Sequence, residues 1–426
     1  MTSSENEQIR PVVDNLFRHE AGKLVSVLTR IFGPHNLELA EDVVQDTLIK
    51  AMDNWKFNGI PENPTGWLFT AARNKALDVI RRERYQKEFA AEVSALLKSE
   101  YTAVETVRQF VNENEIEDEQ LRMMFVCCHP TIAEEAQIAL TLKTLCGFSV
   151  AEIAKAFLTN EETITKRLYR ARQQFREEKI AFVIPTNQEL PQRLDNVLVA
   201  IYLIFNEGYN STSHDSLIRD DLVEESLRLG KMIVDHAITR KPESLALLAL
   251  LCCQSARLYS RLDKEGNLLT LKNQDRSLWN QNLVRQGKFY LQQASQGNNM
   301  SSYHMEAAIA YEHCIAKKYD DTNWERILQL YDWLYQRKND ALTALNRLIV
   351  YAEVYGPEQA LKESEQIKDK GLLKNYYLYP AALGEWYSQV GDKEKAKKYF
   401  ENAMLLTQSK PEKALLLQKI SNLGLA

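Results

Sequence analysis

Between Thr163 and Arg176 the chain carries five basic residues and no acidic one. At helical spacing Ile164, Leu168, Ala171 and Phe175 make one apolar stripe, and Thr163, Lys166, Arg167 and Arg170 fall on the opposite face, flanked by Arg172 and Arg176. A helix docked by that stripe offers its cations to a DNA major groove, where Arg and Lys neutralise phosphates and reach guanine edges. A plain solvated basic face has the same pattern, and the residues just before it favour DNA. Ser149 and Glu152 are spaced as a capping box ahead of Ile153, Ala154 and Phe157. Asn160 is a suitable N-cap, with Glu161 and Glu162 in the first turn where the macrodipole favours anions. Two helices joined by so few residues read as a helix-turn-helix.

A second set of residues suits single-stranded bases, which need stacking, hydrogen bonds and phosphate neutralisation. Trp67, Ala71, Asn74, Asp78 and Arg81 recur along one helical line, and Arg73, Lys75, Arg82, Arg84 and Lys87 add positive charge around it. Trp55 and Trp67 bracket a loop, Phe57 to Pro64, that includes Asn63. Either tryptophan could equally be core packing. A third set, Asp42, Gln45, Asp46 and Ile49, shares one helical face beside the apolar Leu39, Val43, Val44 and Leu48. That polar stripe either faces solvent or docks on a basic partner, and periodicity does not choose.

The elements that must hold these groups are helical throughout. Leu16, Leu24, Leu28 and Phe32 recur at helical spacing and stop at Gly33-Pro34, and further helices are expected over about 37–55 and 65–85. Residues 12–87 therefore form a first small helical domain, and 120–179 a second that ends in the helix-turn-helix. Between them, 88–119 reads as an acidic linker, with seven acidic residues and one basic from Glu100 to Glu119. From 186 to 426 a large helical domain is expected. Its window from Tyr377 to Lys410 fits a tetratricopeptide unit at Leu383, Gly384, Tyr387, Ala396, Phe400 and Ala403, with Gly391 at the turn.

Composition narrows the function. The 426 residues carry a net charge of −5, so any DNA surface must be a local patch. The polar N-terminus shows no secretory signal, and the longest apolar run, Leu245 to Cys253, is too short to span a bilayer. A cytoplasmic protein without membrane contact is expected. The six cysteines lack C-x-x-C spacing and read as buried reduced thiols, and the seven histidines are scattered. No metal site, cofactor or catalytic residue is expected, since nucleotide-binding, hydrolase and metalloprotease motifs are missing from the sequence. Arg257, Asp263, Gln274, Asp275, Arg276 and Trp279 form a charged and aromatic group, read either as a buried salt-bridge network or as a binding feature.

AEDVVQD (40–46), PTGWLFTAARNKALDVIRR (64–82) and GFSVAEIAKAFLTNEETITKRLYRAR (147–172) together resemble the extracytoplasmic-function sigma factors of the sigma-70 superfamily. Four later stretches, FNEGY (205–209), RDDLVEESLRLG (219–230), NQDRSLWN (273–280) and ALNRLIVYAEVYGPEQAL (344–361), resemble the group of those factors with a tetratricopeptide-like C-terminal extension. The resemblance implies an all-α protein whose first domain is region two and whose second is region four. It implies that Asp42, Gln45, Asp46 and Ile49 dock on core RNA polymerase. It places Asn63, Trp67, Arg73, Asn74, Asp78, Arg81 and Arg82 at the −10 promoter element, and Thr163, Lys166, Arg167, Arg170 and Arg172 at the −35 element. It implies that the linker threads a basic channel of the polymerase. It also implies that the extension modulates activity by binding the sigma domains or another protein. Glu162 and Lys166 depart from the small residue and the Ser usual in the family, which bears on −35 preference. The other reading of the same residues is a helix-turn-helix regulator with a helical scaffold that does not bind core polymerase.

Overall fold

The computed structural model describes residues 3–85, 113–157, 159–185, 188–210, 218–297, 300–367, 373 and 376–424. The protein is all-α, and among these residues the one extended pairing is a single bridge between Leu262 and Leu268. No helix among them is long and apolar enough to cross a membrane. The chain divides into two compact units, Met1–Leu203 and Ile204–Ala426.

The first unit opens with α1 (Ser3–Phe32), α2 (Leu37–Asn58) and α3 (Pro64–Tyr85). Gly33 ends α1 with φ +83°, a value that disfavours any residue with a Cβ, and a short turn at Pro34–Asn36 redirects the chain into α2. Leu24, Leu28 and Phe32 of α1, Val43 and Val44 of α2, and Leu68, Ala72 and Ala76 of α3 are buried where the three helices meet. Burial of each large aliphatic side chain stabilises by roughly 1.5–3 kcal/mol.

Next come α4 (Glu113–Cys127), α5 (Glu134–Thr144), α6 (Val150–Ala156) and α7 (Glu161–Glu177). The start of α4 differs from the acidic linker expected over 88–119. Residues 113–119 are its first turns, and Glu119 is only 1% exposed. Two cations permit that burial: Arg122 pairs with Glu119 at 2.7 Å, and Arg30 of α1 closes on the same oxygen. Linker residues 88–112 lie outside the described residues. α1 packs on α4 and α5, and Gly22 closely faces the backbone at the end of α5. A Cβ there would stand 2.7 Å from the Leu145 carbonyl carbon and nearer still to its oxygen. The domains carrying α2 and α7 are thus packed together in one unit.

α8 (Leu190–Tyr209) starts beyond 186, where the large C-terminal domain was expected, yet its first half belongs to the first unit. Leu194, Val197, Leu198 and Ile201 are buried, Arg193 donates to the Phe125 carbonyl at 2.7 Å, and Asn196 reaches the Cys128 carbonyl at 3.5 Å.

The second unit continues with α9 (Asp220–Asp235), α10 (Pro242–Ser255), α11 (Gln281–Ala294), α12 (Ser302–Ile315), α13 (Trp324–Lys338) and α14 (Ala341–Tyr355). α15 (Pro357–Ser364), α16 (Leu378–Gln389), α17 (Lys393–Leu406) and α18 (Lys410–Asn422) complete it. The apolar run Leu245 to Cys253 is the body of α10, buried on every side because α9, α11 and α12 all pack on it. The expected tetratricopeptide pair is α16 and α17. Gly391 turns between them at φ +89°, a Cβ on Gly384 would meet the Phe400 ring at 2.7 Å, and Tyr387 stacks on Tyr399 at 5.3 Å. All six cysteines are free and buried. Burial pushes the thiols of Cys128 and Cys252 up to about 12, and that of Cys127 higher still.

Candidate nucleic-acid interface

The helix-turn-helix is built by the caps its sequence announces. The Ser149 N–H donates to Glu152 Oε2 at 2.7 Å, and the Glu152 N–H donates to Ser149 Oγ at 3.2 Å. Asn160 Oδ1 accepts from the Thr163 N–H at 2.7 Å and fixes the start of α7. Ile164, Leu168, Ala171 and Phe175 are each at most 2% exposed, so the opposite face points outward. Lys166 and Arg170 are exposed on it, while Thr163 and Arg167 are half-buried at its edge. Lys166 is also held by Glu162 at 2.6 Å, one turn back, which cancels part of its charge where both side chains meet solvent. Tyr169, absent from the expected set, is 57% exposed between Lys166 and Arg170. A lone exposed aromatic leaves no periodic signal in the sequence.

Arg172 stands apart from the other four. Its side chain is 18% exposed and binds Glu41 of α2 at 2.5 Å, with Glu38 at 3.9 Å. Burial raises the Glu41 carboxyl above its ordinary range, and the Arg172 charge pulls it back. In this arrangement Arg172 ties α7 to the first turns of α2.

On α2 itself, Asp42, Gln45, Asp46 and Ile49 are all exposed on one face, with Ile49 at 50%. Met52, at 55%, extends that face by a further turn, and Phe57, at 82%, projects at the helix end with the Lys56 ammonium 5.9 Å from its ring centroid. Asp46 pairs with Lys75 of α3 at 2.7 Å, both being well exposed. The stripe is therefore polar at one end and apolar at the other. Arg172 occupies the acidic turn beside it.

α3 begins at Asn63, whose Oδ1 accepts from the Gly66 N–H at 2.8 Å, so this residue caps the helix. Trp67 is half-buried, edge-on to Trp55 at 5.6 Å, and Trp55 packs on Phe17 at 5.4 Å. Trp55 is core. Asn74, Asp78 and Arg81 are exposed along one line, and Arg81 lies 3.7 Å from Asp78. Arg73 is half-buried with its Nε unpartnered. The side chain of Arg82 lies outside the described residues. The structure thus brings Asn63, Trp67, Asn74, Asp78 and Arg81 onto one helix and its cap. The α7 set sits on a different domain.

Comparison with known proteins follows the same division. Residues 16–85 match the model for Sigma-70 region 2, residues 122–175 that for Sigma-70, region 4, and residues 193–295 a family of unknown function, DUF6596. An uncharacterized protein of Rhizobium meliloti is 31% identical over 400 residues, spanning 94% of this chain and 93% of its own length. The RNA polymerase sigma factor YlaC of Bacillus subtilis is 27% identical over 165 residues, 38% of this chain and 89% of that one. No solved structure matches. An all-α chain that joins these two regions in this order is a sigma-70-type protein. The chain belongs to the extracytoplasmic-function branch of that superfamily, with a large helical C-terminal extension that bears the DUF6596 segment.

Proposed function

We propose that this protein binds core RNA polymerase through the outer face of α2 and promoter DNA through α3 and α7, and so directs transcription initiation. The observation that carries this reading is the pair of outward faces on separate domains: Asp42, Gln45, Asp46 and Ile49 on one, and the N-capped cationic α7 on the other. A regulator acting by its helix-turn-helix alone has no use for the first. Asn74, Asp78 and Arg81 supply hydrogen bonds and charge, and the exposed Phe57 a stacking surface, for unpaired bases. Strand opening then draws on captured bases, which offset unstacking costs of about a few kcal/mol. The extension modulates this activity, through the sigma domains or a protein partner.

Transcription in vitro tests the reading. Core enzyme with the full-length chain is expected to open a cognate promoter, seen as permanganate-reactive thymines, where core alone does not. A chain that shifts DNA in a gel but never associates with core enzyme would instead be the regulator without polymerase. Modulation is tested by comparing the full chain with residues 1–203. The cut belongs after 203 because ending at 185 would strip the first half of α8 from α4. Equal activity of the two proteins would remove the regulatory role.

The Glu162–Lys166 pair yields a further expectation. Glu162→Gln frees the lysine for a phosphate, so DNA affinity rises at low salt. The slope of log K against log salt then steepens by about 0.9, one extra counterion released. An unchanged slope, measured by fluorescence anisotropy, would place Lys166 away from the backbone.

A further inference from the structure

In the extension, three helices end close together, and each end carries an arginine. Arg261 closes the end of α8, donating to the Tyr209 carbonyl and to Asn210 Oδ1 at 3.3 Å, with its guanidinium 3.9 Å from the Tyr209 ring centroid. Arg276 closes the end of α12, donating to the carbonyls of His313 at 2.7 Å and Ala316 at 2.8 Å. Arg257 follows the end of α10, half-buried, with its guanidinium 5.8 Å from the Tyr209 ring centroid and near His313 and Cys314. The ends of α10 and α12 touch where Cys314 donates its S–H to the Cys253 carbonyl at 3.4 Å.

The neighbouring carboxylates are turned elsewhere. Asp263 accepts from Glu265 and Asn267 in its own loop, and Asp275 caps the turn at Ser277. Asp275 is exposed and Asp263 half-buried, and among the described residues neither pairs with an arginine, so the salt-bridge reading of this group is not what forms. Asp321 lies in the field of Arg276 but makes no ion pair with it, and Glu353 is taken by the Tyr319 hydroxyl. Cys314 bonds the Cys253 carbonyl, and its bond with Cys253 together with the charges of Arg257 and Arg276 holds its thiol below the ordinary range. Three helix C-termini supply roughly −1.5 elementary charges against three full positive ones. Unpaired charge at buried positions is costly unless an anion meets it.

Buried hydrogen-bonding atoms are left over at the same place. Ser255 Oγ, Trp279 Nε1, Tyr209 Oη and His313 Nδ1 are shielded from solvent and have no partner among the described residues. Ser255 is the last residue of α10, Trp279 is 3% exposed, and the next N–H, of Asn280, is tied to the Ala256 carbonyl at 2.8 Å. Gln254 Oε1, one residue before Ser255, is likewise without a partner among the described residues. Burial and the two flanking arginines push the His313 imidazole down to about 3, so it adds no further positive charge.

We propose that this junction is a binding site for a small organic anion, with Arg257 as its cationic anchor and Ser255, Trp279 and His313 as additional contacts. Asp321 and Glu412 lie in the fields of Arg276 and Arg261 without pairing with them, and the acidic group, carboxylate or phosphate, supplies the ion pair that no carboxylate among the described residues makes with Arg257. A small molecule fits better than a protein segment because the orphaned atoms are enclosed.

The test is equilibrium dialysis of the full-length protein with radiolabelled inorganic phosphate and, separately, acetate, at constant ionic strength. One anion per chain is expected to bind saturably, with half-saturation near 1 mM or below, and the better probe names the acidic group. Arg257→Gln should raise half-saturation at least tenfold, and Arg257→Lys should restore part of it. Trp279→Phe keeps the ring and removes one donor, so a rise of about fivefold is expected from one hydrogen bond. It also serves if Arg257→Gln fails to fold. Failure of both anions to bind at one per chain, or wild-type binding by both Arg257→Gln and Trp279→Phe, would overturn the proposal. Neither polymerase nor promoter enters the assay, so its outcome is independent of the sigma-factor reading.

Discussion

Reversal of Asp42 and Asp46 to lysine is expected to weaken association with core RNA polymerase by about 100-fold or more while leaving the fold intact. Both carboxylates are exposed on the outer face of α2, so neither supports the core of its own domain. Like charges brought together across an interface cost several kcal/mol, and each 1.4 kcal/mol is tenfold in affinity. The effect should shrink in high salt, because the charges lie where ions screen them. Asp46 has one intramolecular role, its pair with Lys75 at 2.7 Å. A control with Lys75→Glu added restores that local pairing and should not restore core binding. Surface plasmon resonance on immobilised core enzyme reads the result. Wild-type affinity in the doubly reversed protein would remove α2 as the docking element.

Gly22→Ala is expected to destabilise the first unit by about 2 kcal/mol, and the sign is the informative part. In the middle of a helix this substitution ordinarily stabilises by about 1 kcal/mol, because alanine loses less backbone entropy. Here the new methyl would run into the backbone of Leu145, which cannot swing aside as a side chain would. Overpacking against backbone costs roughly 3 kcal/mol, the upper end of its usual range, and outweighs the gain in helix propensity. A fall of about 4–8 °C in the unfolding midpoint of this unit follows. A rise on calorimetry would mean that α1 and α5 do not meet this closely in solution.

The parts legible in the sequence were those set by residues a few positions apart. The capping box at Ser149 and Glu152, the Asn160 cap and the apolar stripe of α7 are local patterns, and the structure contains each of them. The tetratricopeptide pair was readable for the same reason, since Gly384, Gly391 and Phe400 lie within one helix hairpin. Contacts between distant residues were not legible. Nothing near Arg172 announces that it would be held by Glu41, 131 residues away, rather than share the outward face of α7. Glu119 looked like one more charge of a solvated linker until Arg30, 89 residues away, met it. Sequence proximity also misled at Asp263 and Asp275, which appeared to be partners for the nearby arginines. Each is instead satisfied by N–H groups of its own turn, a local competition that acidic residues in loops often win. Tyr169 and Met52 went unread because a single exposed aromatic or apolar residue carries no periodic signal.

The cysteines give the molecule an internal clock. Three lie in each unit, Cys127, Cys128 and Cys146 in the first and Cys252, Cys253 and Cys314 in the second, all sealed from solvent. A maleimide reacts with a thiolate it can reach, so in native buffer each site is modified only as fast as its own surroundings come apart. Mass mapping of the modified peptides would time the two halves separately, in one tube and without any engineered label. Adding core enzyme, promoter or a small anion would then show which half each of them steadies.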